Sequence, residues 1–460
     1  MGPTGVSPVS NANWQARRLP APQARCLCYL FEVHSFHYRD GELYCEEVAL
    51  ARAAEEFGTP LYVYSAGTIL DHYRRLDAAL APLDHLICYA VKANSNGAIL
   101  KLLADAGAGF DIVSGGELFR VLKASGAADK CTFAGVGKSR DEIEYALDEG
   151  VFSFNVESEA ELEWIDRIAR DKGVSAPIAV RVNPDVDAGT HRYVSTGRSE
   201  NKFGIALHRI AAVYEKAARL PNVRIRGIQM HIGSQITAAR PFAEAIIKVA
   251  PLIEELKQKH GFEFFSVGGG MGIIYHHALE SGSGKWWHEH GGEESAFSVA
   301  DYRDAILPPL RELGLRVLLE PGRFLIGNAG VLLTRVRYLK QTEHKKFAIV
   351  DAGMNDLIRP ALYQSYHEIV PLREPSTPAR EPMDVVGPVC ESGDFFAQDR
   401  ELPAMNEGDL VALMSAGAYG FSMASNYNSR PLPAEVLVNG ERFSLIRRRQ
   451  TMDDLVREEY

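Results

Sequence analysis

Lys92 closes the run Leu86-Ile87-Cys88-Tyr89-Ala90-Val91-Lys92, an apolar, β-prone stretch that reads as a strand buried on both faces. An ammonium at the end of such a strand must be solvated, paired or used covalently, because burying it alone is costly. Desolvation lowers the pKa of an amine, and a neutral amine is the nucleophile that forms a Schiff base with a carbonyl. A lysine that merely extends its stem to water fits the same position. The ends of the other apolar runs decide between the two. Asp111 and Ser114 fall in the run 109–114, with Gly115-Gly116-Glu117 beyond it. Arg181 and Asn183 belong to 178–184, and His231, Gly233 and Ser234 to the end of 225–233 and the residue after it. Gly268-Gly269-Gly270 ends 264–270, and Glu320-Pro321-Gly322-Arg323 ends the run that starts at 316. These are the groups of a covalent, anion-binding site.

For them to meet, the elements must bring strand ends together. From residue 86 a short apolar run recurs at 86–92, 109–114, 131–136, 151–156, 178–184, 225–233, 264–270 and 316–322, which makes eight. Helix-like stretches lie between, among them 96–106, 117–124, 140–149, 159–172 and 242–260. In 159–172, Leu162, Ile165, Ile168 and Ala169 have the spacing of one helix face. Strand–helix alternation means right-handed βαβ units and a parallel sheet. Eight units over roughly 240 residues have the size of a (β/α)8 barrel, whose catalytic groups stand at the C-terminal strand ends. In that fold the lysine, aspartate, histidine, glycine loop and Glu/Arg pair share one mouth, and the functional reading of Lys92 leads.

After residue 330 the texture is β: 331–339, 347–351, 383–389, 409–414, 434–438 and 443–446 are strand-like, and Asn439-Gly440 is a hairpin signal. The stretch 36–45, with Asp40-Gly41 at its turn, reads as a hairpin that joins this C-terminal β-domain. The expected order is a disordered tail at 1–33, a β-arm at 34–60, the barrel at 61–328 and the β-domain at 329–460. The tail is rich in Pro, Ala, Arg and Ser; a transit-like segment or an over-extended start are the other readings of it. The segment 275–298 interrupts the barrel and is read as a solvated insertion. Its His276, His277, His288 and His290 lack an HExxH arrangement or a supporting cysteine pair, so no metal is expected. Trp286-Trp287 suit either a neighbouring subunit or the barrel mouth.

The bulk numbers exclude some classes. The chain has 460 residues, 46% of them hydrophobic and 24% charged, with a formal net charge of −10. There is no basic surplus for nucleic acid or acidic lipid, and no apolar stretch of membrane-spanning length. Six cysteines without CxxC spacing suit the reduced thiols of a cytoplasmic protein.

The glycine triplet lets backbone N–H groups approach an anion. It is not a dinucleotide fingerprint, because Ile273 stands where the third glycine belongs. Late-strand phosphate binding is common in barrels. A phosphate site together with a Schiff-base lysine points to pyridoxal 5'-phosphate. The pyridine nitrogen then needs an acid: Glu320 is the candidate and Asp111 the alternative. His231 either stacks on the ring or is a hydrogen-bonded core histidine.

Tyr89-Ala90-Val91-Lys92-Ala93-Asn94, His231-Ile232-Gly233-Ser234, the glycine triplet and Glu320-Pro321-Gly322-Arg323 resemble the fold-type III pyridoxal-phosphate decarboxylases. Asn201-Lys202-Phe203-Gly204, the stretch 351–363, Cys390-Glu391-Ser392-Gly393-Asp394 and the stretch 425–430 narrow the resemblance to the diaminopimelate decarboxylase family. It runs from about residue 36 to about 446. The resemblance implies a TIM-like barrel, a C-terminal β-sandwich or barrel domain, and a homodimer with its sites at the interface. It implies decarboxylation of meso-2,6-diaminopimelate to L-lysine and carbon dioxide, the last step of lysine synthesis, with Lys92 carrying the cofactor. Asp111, His231, Ser234, Gly268 to Gly270, Glu320, Pro321, Gly322, Arg323 and Tyr419 would hold the cofactor. Arg323, Arg359, Tyr363, Glu391 and Tyr419 match substrate-contacting positions, and Cys390 matches a proton donor supplied with Glu391. Met271 and the 275–298 segment depart from the family pattern.

The residue types agree with that substrate. Two arginines suit a distal carboxylate and Glu391 a distal ammonium. Ornithine has no distal carboxylate and would leave both guanidiniums uncompensated, at a cost of about a few kcal/mol if buried. The rival readings are a decarboxylase of ornithine, arginine or a carboxylated polyamine, a non-catalytic regulator on the same scaffold, and a pyridoxal-phosphate racemase.

Overall fold

A computed structural model describes residues 33–186, 202–290, 297–377 and 379–460. The expected tail, apart from Val33, lies outside the described residues, as does Asn201 of the narrower motif. Eight parallel strands close into a barrel: His85–Ala90, Gly109–Ile112, Cys131–Phe133, Ser153–Val156, Ala176–Asn183, Val223–Met230, Phe264–Gly268 and Arg316–Leu319. The eighth pairs with the first, Val317 opposite His85, and the fourth with the fifth, Phe154 opposite Ile178. Each expected run contains one strand, and most strands end short of the run. The residues left over, Lys92, His231 and Glu320 among them, stand just past the strand ends, where the ladder no longer dictates the backbone.

Five of the outer helices start at a serine. Ser65, Ser114, Ser139, Ser158 and Ser298 each accept a first-turn backbone N–H. This satisfies a donor that the helix itself cannot. Ser114 is therefore a cap and not a member of the mouth. Leu162, Ile165, Ile168 and Ala169 are fully buried, as their spacing predicts.

The C-terminal domain is built around the strand Gly330–Gln341. Its first half lies between Leu410–Leu413 and Leu61–Ser65, both antiparallel to it, and its second half pairs with Lys346–Val350. Leu61–Ser65 also runs parallel to Ala434–Asn439. This corrects the barrel start at residue 61: the strand belongs to the C-terminal sheet, and the barrel layer begins with the helix Ala66–Leu80. A strand followed by a helix looks the same in sequence whichever sheet receives it. Here both faces of the strand are buried between the two domains. Glu435, fully buried, fixes the junction by accepting from the Tyr64 hydroxyl at 2.8 Å and Asn96 Nδ2 at 2.8 Å, while pairing with Arg447.

The arm forms a separate three-stranded antiparallel sheet of Phe36–Arg39, Glu42–Cys45 and Val48–Ala49. Asp40 and Gly41 both take positive φ, 52° and 77°, as an Asp-Gly hairpin turn requires. Leu43 N–H donates to the Leu372 carbonyl at 2.8 Å, and Phe36, Leu43 and Cys45 pack with Val331, Leu333 and Ala412.

The segment 275–298 differs from the expected solvated loop. It contains a helix, Gly284–His290, whose Trp286 and Trp287 are buried against Val33 and Ile274. Two adjacent indoles remove enough apolar surface from water to fold a short helix onto the chain. His276 stacks on Tyr366 and His290 on Trp286, so these imidazoles pack rather than float. Residues 291–296 lie outside the described residues.

Candidate active site

The C-terminal mouth of the barrel opens into a cavity of about 1170 Å³. Lys92 sits in a single 3-10 turn, Val91–Ala93, directly after the first strand. Its Nζ donates to Asp111 Oδ2 at 2.6 Å; Asp111, on the second strand, is 1% exposed, whereas the lysine side chain is 42% exposed into the cavity. Burial pulls the lysine pKa down, but the charges of Asp111, Tyr419 and Glu320 outweigh it and hold the ammonium above its ordinary value. This corrects the expected neutral amine. Desolvation is present, but the carboxylate 2.6 Å away dominates.

Glu320 stands past the eighth strand, 6% exposed. Its Oε1 accepts from Ser266 Oγ at 2.7 Å and Asn155 Nδ2 at 3.4 Å, and its Oε2 from Gln229 Nε2 at 2.9 Å. Burial, then the Asp111 charge, raises its pKa to about 7. Three donors from three different strands aim one carboxylate. Asp111 is already engaged by Lys92, which leaves Glu320 as the acid without a side-chain cation. Ser266, Gln229 and Asn155 escaped the sequence reading, although a polar residue inside an apolar strand run was a usable signal.

His231 follows the sixth strand. Its Nδ1 accepts from the Gly269 N–H at 3.2 Å, so that nitrogen carries no proton. Burial, then the charges of Arg181 and Lys92, pushes its pKa well below the ordinary value. The ring is a neutral wall of the cavity. Gly268 has φ +77°, and a Cβ there would overlap the Met230 carbonyl oxygen; one on Gly269 would overlap the Glu320 carbonyl oxygen, and one on Gly270 would crowd that of Gly233. The glycine backbone is wedged between the sixth and eighth strand ends. Gly268, Gly269 and Pro321 lie beneath the surface, and Gly270 and Gly322 reach the cavity. The Pro321 carbonyl accepts the Ala90 N–H at 3.0 Å, tying the eighth strand end to the first.

Arg323, 7% exposed, donates to Ser234 Oγ at 3.0 Å and to the Tyr275 hydroxyl at 2.6 Å, with its guanidinium carbon 4.9 Å from the Tyr419 ring. The C-terminal domain closes the other side. Arg359, 4% exposed, bonds His367 Nε2 at 2.8 Å and Ser365 Oγ at 3.3 Å. Tyr363 and Tyr419 line the cavity, and Tyr419, at φ +57°, is held by its N–H donating to the Ala93 carbonyl at 2.8 Å. Glu157 and Arg181, paired at 3.1 Å, line it as well. Phe203 of the narrower motif packs on Arg181 there. Tyr275 and Trp286 were assigned to the insertion and prove to be walls of the site.

Cys390 and Glu391 are not brought to this cavity. Both are exposed, on a loop shaped by Asp394, which accepts the Val389 and Met354 N–H groups at 2.6 Å each. Glu391 meets Tyr427 at 3.5 Å.

The residues fit a phosphorylated pyridine aldehyde. Gly268 N–H donates to Ser266 Oγ at 3.2 Å and Gly269 N–H to His231 Nδ1 at 3.2 Å, so Gly270 is the member of the triplet that faces the cavity. Asp111 Oδ1 and Arg323 Nε are buried without partners among the described residues. An amine, a carboxylate aimed by three donors and a neutral imidazole wall surround one space.

The chain matches the family model described as the pyridoxal-dependent decarboxylase, pyridoxal binding domain, over residues 66–327. It is 52% identical to the diaminopimelate decarboxylase of Pseudomonas aeruginosa over 92% of this chain and 97% of that one. It is 49% identical to that of Vibrio cholerae over 91% of this chain and 97% of the relative. Among solved structures, the diaminopimelate decarboxylase of M. jannaschii in complex with L-lysine superposes with a TM-score of 0.84 at 35% identity, covering 93% of this chain and 98% of that one.

Proposed function

The chain belongs to the pyridoxal-dependent decarboxylases, and within them to the diaminopimelate decarboxylase family; from that premise we propose that it converts meso-2,6-diaminopimelate to L-lysine and carbon dioxide, the last step of lysine synthesis. The observation that carries the reading is one cavity with an amine at its floor and two buried guanidiniums at its rim, with no carboxylate paired to either among the described residues. A substrate with a carboxylate at each end answers both. Ornithine or arginine would leave the rim cations unmatched.

Lys92, Ser234, Gly268 to Gly270, Gly322 and Tyr419 would hold pyridoxal phosphate, with His231 against the ring and Glu320 paired to its nitrogen. Bound there, the cofactor would supply a protonated ring that withdraws the electron pair of the breaking Cα–carboxylate bond. The chain's residues do the rest. Asp111 holds the Lys92 ammonium in place. Arg323 and Arg359 take the far carboxylate. Tyr363 and Trp286 limit water at the mouth.

The proton donor Cys390 and the ammonium acceptor Glu391 belong to a loop outside this cavity, so we assign them to the site of a second copy in a homodimer. Free Cys45, Cys88, Cys131 and Cys390 suit a reducing, cytoplasmic setting. No helix among the described residues is long and apolar enough to cross a membrane.

Incubation with pyridoxal phosphate and meso-diaminopimelate, with carbon dioxide and L-lysine measured together, tests the reading. Equal amounts of both, abolished in Lys92→Ala with its fold intact, are expected. Carbon dioxide from ornithine or lysine instead of diaminopimelate would overturn the substrate assignment.

A further inference from the structure

We infer that Tyr275 is the specificity-determining positioning residue of this site: its hydroxyl accepts from Arg323, its ring lies under Arg359, and together these contacts hold the pair as a receptor for the substrate's far carboxylate. The inference rests on the decarboxylase reading and names the group that selects the substrate within it.

Arg323 and Arg359 come from different domains, are 7% and 4% exposed, and converge on one side of the cavity. Like charges buried together repel, and each also loses its hydration. Every partner they have among the described residues is neutral. Arg323 donates to Ser234 Oγ at 3.0 Å. Arg359 donates to Ser365 Oγ at 3.3 Å and to His367 Nε2 at 2.8 Å. The other nitrogen of His367 faces the Met414 carbonyl at 2.9 Å, which fixes the imidazole as a neutral acceptor toward the arginine. Among the described residues no carboxylate pairs with either guanidinium.

The Tyr275 side chain is the group they share. Its hydroxyl accepts from Arg323 Nη1 at 2.6 Å, and the Arg359 guanidinium carbon lies over its ring, 4.9 Å from the centroid. The ring is braced edge-on against His367, with centroids 5.4 Å apart. Burial pushes the phenol pKa up, and the two guanidiniums more than reverse it. A phenol can accept and donate at once. It therefore stands between the cations while the site is empty of substrate, and turns its O–H toward a carboxylate that enters. A far end bearing only an ammonium would meet two cations with nothing to offer them. Selection is then repulsive as well as attractive.

The test is Tyr275→Phe as holoenzyme, which keeps the ring under Arg359 and removes the hydroxyl that holds Arg323. The retained centre of meso-diaminopimelate is the L centre of L-lysine, so the carboxylate lost is on the D centre. D-Lysine therefore presents the same reacting carbon and far amine without the far carboxylate. The variant is expected to lose kcat/KM on meso-diaminopimelate by about tenfold or more, through KM and with kcat within about twofold. Turnover of D-lysine should hold or rise, so the ratio between the substrates shrinks. The inhibition constant of L-lysine, which presents the far head without chemistry, should rise in step with KM. An equal fall on both substrates, or no change in KM and inhibition constant, would overturn the inference. Thermal unfolding and the visible absorbance of bound cofactor establish that the variant is folded and loaded. If wild-type protein released no carbon dioxide from meso-diaminopimelate, the decarboxylase reading would fall instead. Calorimetric binding of meso-diaminopimelate to wild type and Tyr275→Phe would then still read the hydroxyl: equal affinities sink the inference, and a tenfold loss upholds it.

Discussion

At the residue scale, the site is a set of charges kept in unfavourable places by specific partners. Glu320 shows this most clearly. Its folded pKa of about 7 lies above the ordinary carboxylate value of 4.5. Between those values the folded chain holds a proton that the unfolded chain has released. Stability of the cofactor-free protein therefore falls as pH rises across that window, and the deficit stands in full above about pH 7. Glu320→Gln does not titrate. Thermal unfolding of the cofactor-free proteins should show the variant more stable than wild type at about pH 8, with the advantage shrinking toward about pH 5, while decarboxylation is lost. A difference independent of pH would show that Glu320 is not what titrates. Despite burial, the Lys92 pKa is raised as well, by Asp111 at 2.6 Å, so its window opens above the ordinary lysine value of 10.5, clear of the Glu320 range.

At the element scale, positioning depends on backbone approach. The loop after the seventh strand fits only because Gly269 lacks a Cβ, which would otherwise overlap the Glu320 carbonyl oxygen. Gly269→Ala sets backbone against backbone, and neither side can yield without moving a strand end. It should cost about 1–3 kcal/mol of stability, and reduce pyridoxal phosphate affinity more than substrate affinity. Denaturant unfolding and titration of the cofactor absorbance check the two effects separately. The helix Gly284–His290 is the other element that matters here. Its buried tryptophans turn what reads as a polar insertion into a wall of the cavity. The hydrophilic flanks hid it, because composition over a window averages two indoles with many Gly, His and Ser residues.

At the scale of the whole molecule, one chain lacks part of its proposed chemistry. Cys390 and Glu391 are exposed and do not line the cavity that holds Lys92. If a second copy supplies them, Cys390→Ala and Lys92→Ala proteins, each inactive alone, should complement when unfolded and refolded together. Random pairing with one intact site per mixed dimer caps the recovery at about a quarter of wild-type activity. No recovery, with mixed dimers present by mass spectrometry, would place Cys390 in its own chain's site. Cys390→Ala alone should lower kcat far more than it raises KM, as removal of a proton donor does.

The sequence by itself determined the periodic parts. Eight apolar runs alternating with amphipathic helices leave a closed parallel barrel as the way to bury both faces of every strand. Lys92, His231, the glycines, Glu320 and Arg323 follow as neighbours because strand ends of one hand share one mouth. Asp40-Gly41 at the first turn was legible because a hairpin turn is local chemistry. The tertiary structure decided what depends on distance. It put Leu61–Ser65 into the far sheet, because two domains compete for a strand that either would bury. It left the Lys92 amine charged, because a carboxylate 19 residues on comes within 2.6 Å. It joined Tyr275 to arginines from both domains, and it kept Cys390 away. Electrostatic energy falls with separation in space and not in sequence. Charge states and the membership of the site therefore emerged only when the chain was folded.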